Sequence, residues 1–230
     1  MKALWKLSLL FLLVATFCVN EVQAFVSVKE IEEEWKNTFV ANLSLDTVKE
    51  EPEKRAISCF DVREDGMIAI GVSNSSRKTI CIYNAAGFFQ CGYNFNCDGN
   101  FGIEWEGDYL IIYFVRGSIG ARLSLSGLID SVFSIPQSTE NTKYWNDVVF
   151  STKRTVQESE YILRNDSGVL DLFASAYSQL IVTNERGQTR TIYDASSRHQ
   201  LSSGFLLIVI FVFVCVVVVS VIKKTSQAKN

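Results

Sequence analysis

Histidine is nearly missing from this chain. Among 230 residues there is one, His199, and proline occurs only twice. A single histidine removes most His-dependent nucleophilic and acid–base chemistry, and two prolines exclude a Pro-rich linker protein. His199 also sits six residues before a long apolar run, too tethered to serve a pocket elsewhere. No Gly-x-Ser-x-Gly elbow, phosphate loop or His-Glu pair is present. Positive charge is scarce as well. The chain has 22 basic and 25 acidic residues; without Lys2, Lys6, Lys223, Lys224, Lys229 and Glu21 at its two ends, 25–203 keeps 17 and 24, a net of −7. Neutralising phosphates needs surplus Lys and Arg, so no nucleic acid is expected as a partner.

What is abundant lies first at the ends. Residues 1–24 read as a signal peptide: a basic start, Met1-Lys-Ala-Leu-Trp-Lys6, an apolar stretch from Leu7 to Phe17, and Val22 and Ala24 at −3 and −1 of a cut before Phe25. An uncleaved signal anchor is the alternative. Phe17 is too bulky beside Cys18 for lipoprotein processing. Residues 204–222 contain an apolar run, 205–222, interrupted by Ser220 alone, whose 18 residues span about 27 Å as a helix, close to the thickness of a bilayer core. Its many β-branched residues form helix poorly in water, but in lipid any other backbone conformation is unsatisfied. Lys223 and Lys224 then hold the tail, 223–230, in the cytoplasm. The expected protein is single-pass, membrane-bound through 205–222, with its N-terminal domain outside.

Between these segments, 25–55 differs in pattern from 56–198. Val28, Ile31, Trp35 and Phe39 recur at helical spacing among Glu and Lys, Leu43 and Leu45 alternate like a strand, and a charged linker runs from Glu50 to Arg55. From 56 to 198 the pattern becomes short β runs punctuated by Gly, Asn and Asp: Met67–Val72, Thr79–Tyr83, Phe88–Tyr93, Tyr109–Val115, Ala121–Leu125, Asp147–Ser151, Tyr161–Arg164, Leu180–Thr183 and Thr189–Tyr193. The fold class is therefore all-β. Three stretches end in a turn glycine: Ile80-Cys-Ile-Tyr-Asn-Ala-Ala-Gly87, Ala121-Arg-Leu-Ser-Leu-Ser-Gly127 and Tyr161-Ile-Leu-Arg-Asn-Asp-Ser-Gly168, with a shorter fourth ending at Gly187. The first three glycines are 40 and 41 residues apart. Glycine at such a place supplies the positive φ that closes a tight hairpin, and a period near 40 suits the four strands of a propeller blade.

Cys59-Phe-Asp-Val-Arg-Glu-Asp-Gly66-Met-Ile-Ala-Ile-Gly71, followed by Lys78-Thr-Ile-Cys-Ile-Tyr-Asn-Ala-Ala-Gly87, resembles an NHL-type propeller blade, clearly over 57–95 and more loosely to 193. Tyr144-Trp-Asn-Asp147 is similar to the Tyr-Trp-Thr-Asp blades of lipoprotein-receptor ectodomains, though it occurs once. The resemblance implies a β-propeller-like domain and a binding platform, and no cofactor. Propellers of these families close with six blades, whereas three to four are visible here. A small ring, a ring completed by a second copy and an open meander all remain.

Cys59, Cys81, Cys91 and Cys97 stand in the outer domain, and an even number in an exported domain permits two disulfides. If Ala85-Ala86-Gly87 is a three-residue loop, Asn84 faces Phe88 and stepping back sets Cys81 opposite Cys91, leaving Cys59 with Cys97. Free thiols packed as small apolar filler are the alternative. No Cys-x-x-Cys pair offers zinc a site. Asn94-Phe-Asn96-Cys-Asp98-Gly99 matches the first half of a calcium loop, but Trp105 stands where the bidentate Glu must be, so no metal is expected. Asp61, Asp65, Glu104, Glu106 and Asp108 could supply a paired-carboxylate hydrolase acting on carbohydrate. The aromatics from Phe60 to Trp145 could stack on sugars, but packing between blades accounts for them without a ligand. Asn42, Asn74 and Asn165 begin glycosylation sequons. The function expected is a membrane-anchored binding module outside the cytoplasm, without catalytic residues, acting on a protein partner or a second copy of itself; the hydrolase is the alternative.

Overall fold

The computed structural model describes residues 28–165 and 177–196, together with Val209, Val212 and Phe213. The leader 1–24, residue Gly168 and the rest of the apolar run 205–222 lie outside the described residues. Val209, Val212 and Phe213 are helical and exposed, and among the described residues no helix is long and apolar enough to cross a membrane.

Three antiparallel sheets make up the domain, so the all-β class is correct. Sheet I contains β3 (Ile57–Val62), β4 (Ile68–Asn74), β5 (Arg77–Tyr83) and β6 (Phe89–Asn96), paired in that order. Sheet II repeats the pattern with β7 (Phe101–Glu106), β8 (Tyr109–Phe114), β9 (Ile119–Ser124) and β10 (Ile129–Ser134). Sheet III repeats it again with β11 (Lys153–Val156), β12 (Ser159–Arg164), β13 (Gln179–Thr183) and β14 (Thr189–Asp194). Each is a simple up-and-down meander, which sequential strands joined by tight turns favour.

The sheets do not follow one another in space as they do along the chain. Leu110, Ile112 and Leu123 of sheet II pack on Ile80, Tyr93 and Phe95 of sheet I. The opposite face of sheet I, with Phe60, Ile68, Ile70 and Tyr83, packs on Tyr161, Leu180 and Ile192 of sheet III. Sheet I is thus the middle layer, covered on both sides. That explains why β3, β4 and β5 are buried along most of their length rather than on alternate residues. The remaining face of sheet II is closed by α2 (Thr139–Tyr144) and the π-helical turn Trp145–Val149 that continues it, with Tyr144, Val149 and Phe150 against Ile111 and Tyr113. Ser138 caps α2 by accepting from the Asn141 amide. The motif Tyr144-Trp-Asn-Asp147, compared above with a blade, therefore belongs to a helix, and the stretch Asp147–Ser151, expected as a strand, is helical to Val149 and leaves the helix at Phe150. Their apolar residues serve helical packing on a sheet face, a role that short β-branched runs do not distinguish from a strand.

The N-terminal segment straps two sheets. β1 (Lys29–Glu30) pairs with β10, and β2 (Asp46–Val48) pairs with β6, each extending a sheet to five strands. Between them α1 (Glu33–Leu43) carries Phe39 edge-on against Phe114, with ring centroids 5.1 Å apart, and buries Leu43. Glu33 and Glu34 in the first turn suit the positive end of the helix dipole. Leu43, read above as strand, is the last helical residue; Ser44 ends the helix in the left-handed region.

The turn glycines appear where the spacing put them, with one exception. Asn84–Phe88, Ser124–Leu128 and Asn184–Gln188 close the same three-residue loop between the third and fourth strands of each sheet. In each, the glycine amide donates to the carbonyl of the first residue. Gly87, Gly127 and Gly187 have φ of +85, +86 and +72 degrees, where a Cβ is strained. The third member of the series is therefore Gly187 rather than Gly168. The helix between sheets II and III and the longer link from β12 to β13 stretch the last interval.

Gly120 meets a different demand. Phe133, its cross-strand partner, folds its ring over the glycine, and a Cβ there would lie 2.3 Å from the ring. Gly120→Ala is expected to cost about 1–3 kcal/mol by overpacking, read as a lower urea midpoint with an unchanged slope.

Candidate functional site

All the odd-to-even strand turns lie at one end of the sheets, and there the β3–β4 turn stands between two clefts. Arg63 and Met67 close that turn through backbone bonds, with Gly66 at φ +84 degrees. Arg63 holds Asp65 through Nε and Nη2 at 2.9 and 2.6 Å, and reaches across to Asp108 in the β7–β8 turn at 3.1 Å. Its guanidinium lies 5.1 Å from the centre of the Trp105 ring. Hydrogen bonding from Arg63 holds the Asp65 carboxyl down at about 2.

The first cleft, about 470 Å³, opens between the turns of sheets I and III and is lined by Asp65, Ala85, Gln157, Ser159, Tyr161 and Arg190 among others. Arg190 donates to the carbonyls of Ala85 and Ala86 at 2.9 and 2.8 Å, tying the two sheets together at the rim. The second, about 410 Å³, lies between the turns of sheets I and II, beside Trp105 and Gly107. The Trp105 indole nitrogen is buried and has no hydrogen-bond partner among the described residues. Gln157 and Glu158 at the β11–β12 turn both have positive φ, 46 and 64 degrees, in a two-residue hairpin that favours Asn-Gly. The double substitution Gln157→Asn, Glu158→Gly is expected to stabilise the full chain by about 1 kcal/mol, measured as a raised unfolding midpoint.

Behind the clefts, where β3, β7 and β11 meet, lies a buried polar cluster. Asp61 accepts from Arg154 Nε at 2.6 Å and from the Trp105 amide at 2.7 Å, so one carboxylate joins the first strands of all three sheets. Arg154 also donates to the Val148 carbonyl at 2.6 Å. Glu104 accepts from the hydroxyls of Tyr113 and Tyr144. Burial raises the Asp61 carboxyl, with Arg154 and the Trp105 amide opposing it in part. Burial also raises Glu104, against the lowering effect of the two tyrosines, and the charge of Asp61 adds to the rise.

The five acids named from the sequence thus divide. Asp61 and Glu104 converge, but inside the structure, with Arg154, two tyrosines and a backbone amide on their oxygens. Asp65 and Asp108 converge on Arg63. Glu106 pairs with Arg122 on sheet II, at 2.8 Å. Arg154 and the cleft residues Gln157, Ser159 and Arg190 were not singled out from the sequence. The adjacent pair Gln157-Glu158 between two alternating strands was the available signal for the cleft, since it marks a two-residue hairpin without glycine.

The cysteine pairing expected from the loop is not formed, and Cys59, Cys81, Cys91 and Cys97 are free thiols. The loop does have three residues, but a bulge between the Ile82–Cys91 and Tyr83–Phe89 pairs shifts the register, setting Cys81 opposite Gly92. Cys81 then faces sheet III, whereas Cys91 packs toward sheet II. Cys59 and Cys97 both enter the core between sheets I and II. Burial pushes the Cys81 thiol up to about 12 and raises Cys59 and Cys97 too, so none of the three is poised as a nucleophile. In the half-matched calcium loop, Asn94 accepts from Thr79 and Asn96 from Arg77, so both are engaged along the strands.

No family model matches the chain, and neither the curated proteins nor the solved structures include one similar to it. The likeness to NHL blades rests on the turn motifs alone.

Proposed function

We propose that this chain is a single-pass membrane protein whose outer, propeller-like domain is a recognition module that binds its partner at the turn end of the sheets. The membrane assignment is supported by the leader 1–24 and the apolar run 205–222. The propeller-like reading is supported by three successive four-stranded meanders whose first strands meet at a common line, although their packing order sets the first unit between the second and third.

One observation carries the choice of binding over catalysis. The inner pair of acids, Asp61 and Glu104, is buried and already engaged, and the outer pair, Asp65 and Asp108, is held by Arg63, whereas the open cleft between sheets I and III presents hydroxyls and amides beside Asp65 and Arg190. A glycosidase needs one acid that can protonate a leaving group and one free to attack or to activate water. Here the oxygens are committed to Arg154, Tyr113, Tyr144 and the Trp105 amide.

The test uses the full chain in detergent micelles, screened by thermal shift against saccharides, peptides and nucleotides. A ligand is expected that raises the unfolding midpoint of the native chain and not of Ser159→Trp, which fills the cleft. Ligands indifferent to that substitution refute the site. Hydrolysis of a glycoside panel that disappears in both Asp61→Asn and Glu104→Gln refutes the function.

A further inference from the structure

We infer that the cleft between sheets I and III binds an uncharged saccharide, with the Tyr161 hydroxyl as a direct contact. This assignment rests on the recognition reading above and names its ligand class. Tyr161 is 6 % exposed, packs its ring in the core between the two sheets, and lines the cleft. Its hydroxyl has no hydrogen-bond partner among the described residues. Its ring is held in the core while its hydroxyl opens into the cleft, so it presents a fixed donor and acceptor to whatever enters. Gln157 and Ser159, on the same wall, also make no side-chain hydrogen bond among the described residues.

The charges around the cleft decide the class of ligand. Asp65 is the acid nearest the centre, and Arg63 neutralises it through two short bonds. Arg190 spends one N–H from each terminal nitrogen on the carbonyls of Ala85 and Ala86. A cation therefore finds no free carboxylate. An anion meets one guanidinium, Arg190, which no carboxylate pairs among the described residues, set against a domain of net charge −7 with Glu158 and Glu185 in the adjoining turns. What is left are groups that both donate and accept: the hydroxyls of Tyr161 and Ser159 and the amide of Gln157, beside the apolar walls of Val156 and Val182. Sugar hydroxyls likewise both donate and accept, and the C–H faces of a sugar ring suit valine and the edge of a tyrosine. A cleft of about 470 Å³ is within the usual range for small-ligand sites.

The experiment is isothermal titration of the full chain in micelles with the methyl glycosides of glucose, galactose, mannose and N-acetylglucosamine, their disaccharides, and glucuronic acid. At least one neutral sugar is expected to bind, about tenfold more weakly to Tyr161→Phe, which removes one hydrogen bond and keeps the packing. Lys36→Ala, far away on α1, is expected to bind as the native chain does. Absence of binding by every neutral sugar, equal binding by Tyr161→Phe, or tighter binding of glucuronic acid than of the glucoside would each overturn the assignment. A peptide or nucleotide that binds the native chain and not Ser159→Trp, with no sugar bound, overturns the saccharide and leaves recognition at the cleft. If no ligand of any class is sensitive to Ser159→Trp, both fall.

Discussion

Replacing Arg154 with methionine is expected to lower the unfolding free energy of the full chain by about 3–5 kcal/mol, the usual cost of stripping one partner from a buried ion pair. Arg154 and Asp61 are 13 and 10 % exposed at their side chains, so solvent screens them little. Methionine matches the length of the arginine stem and keeps its packing, but leaves the Asp61 carboxylate with the Trp105 amide and without its counter-charge. The same change removes the donor to Val148, loosening the helical cover of sheet II from the centre of the domain. Asp61→Asn keeps an acceptor for the Trp105 amide and leaves Arg154 as the uncompensated charge, so its loss is expected to be of similar size. The double variant Asp61→Asn, Arg154→Met is expected to lose much less than the two singles together, because neither charge then remains. Urea denaturation followed by tryptophan fluorescence measures all three. Additive losses would show that the pair does not act as a unit.

Glu104 carries the second large effect. Glu104→Leu removes the acceptor of two tyrosine hydroxyls, at about 1.5–3 kcal/mol for each hydrogen bond to a charged group, so a loss of about 3–6 kcal/mol is expected. Glu104→Gln keeps one carbonyl acceptor and is expected to lose roughly a third of that. The pH dependence separates charge from shape. Burial raises the Glu104 carboxyl above its ordinary value of 4.5, so the folded state favours its protonated form. The stabilisation from this shift is complete below 4.5 and is lost as pH rises through the elevated folded value. Asp61, raised in the same direction, adds to this slope. Asp65 acts oppositely: its stabilisation is present above 3.8 and fades as pH falls through about 2. The native chain is therefore expected to melt at a lower temperature as pH rises above 4.5 through the elevated carboxyl values, and to weaken again in acid below 3.8. Glu104→Gln flattens the first slope and leaves the second. An unchanged slope above pH 4.5 in that variant would assign it to other groups.

The parts of the fold that were legible were those set by local chemistry. Trp35 and Phe39 one turn apart announced α1, and Gly87 and Gly127 announced their hairpins, because a positive φ favours glycine whatever surrounds it. The bulge after Phe89 was not legible, since nothing in Phe88-Phe-Gln-Cys91 says which residue will be skipped, and that one residue separates Cys81 from Cys91. Val148, Val149 and Phe150 looked like a strand because an apolar β-branched run suits either a sheet or a helix lying on one. Only the open face of sheet II chooses between them. Asp61 and Glu104 were singled out as acids that could act together, and they do converge. Their partners were hidden by distance along the chain, 93 residues from Asp61 to Arg154 and 40 from Glu104 to Tyr144. The cleft was hidden for the same reason, since turns from different repeats form its walls.

The strap formed by β1, α1 and β2 also has a consequence for the order of assembly. Its first rung, between Lys29 and Ser134, joins residues 105 positions apart, and Asp46 waits for Asn94. During synthesis the strap leaves the ribosome before either edge it must close exists. Contacts that distant form late and slowly, so β6 and β10 pass through a stage with bare hydrogen-bonding rims, when two nascent chains can exchange straps. The earliest part of the domain to be made is the last to be fastened.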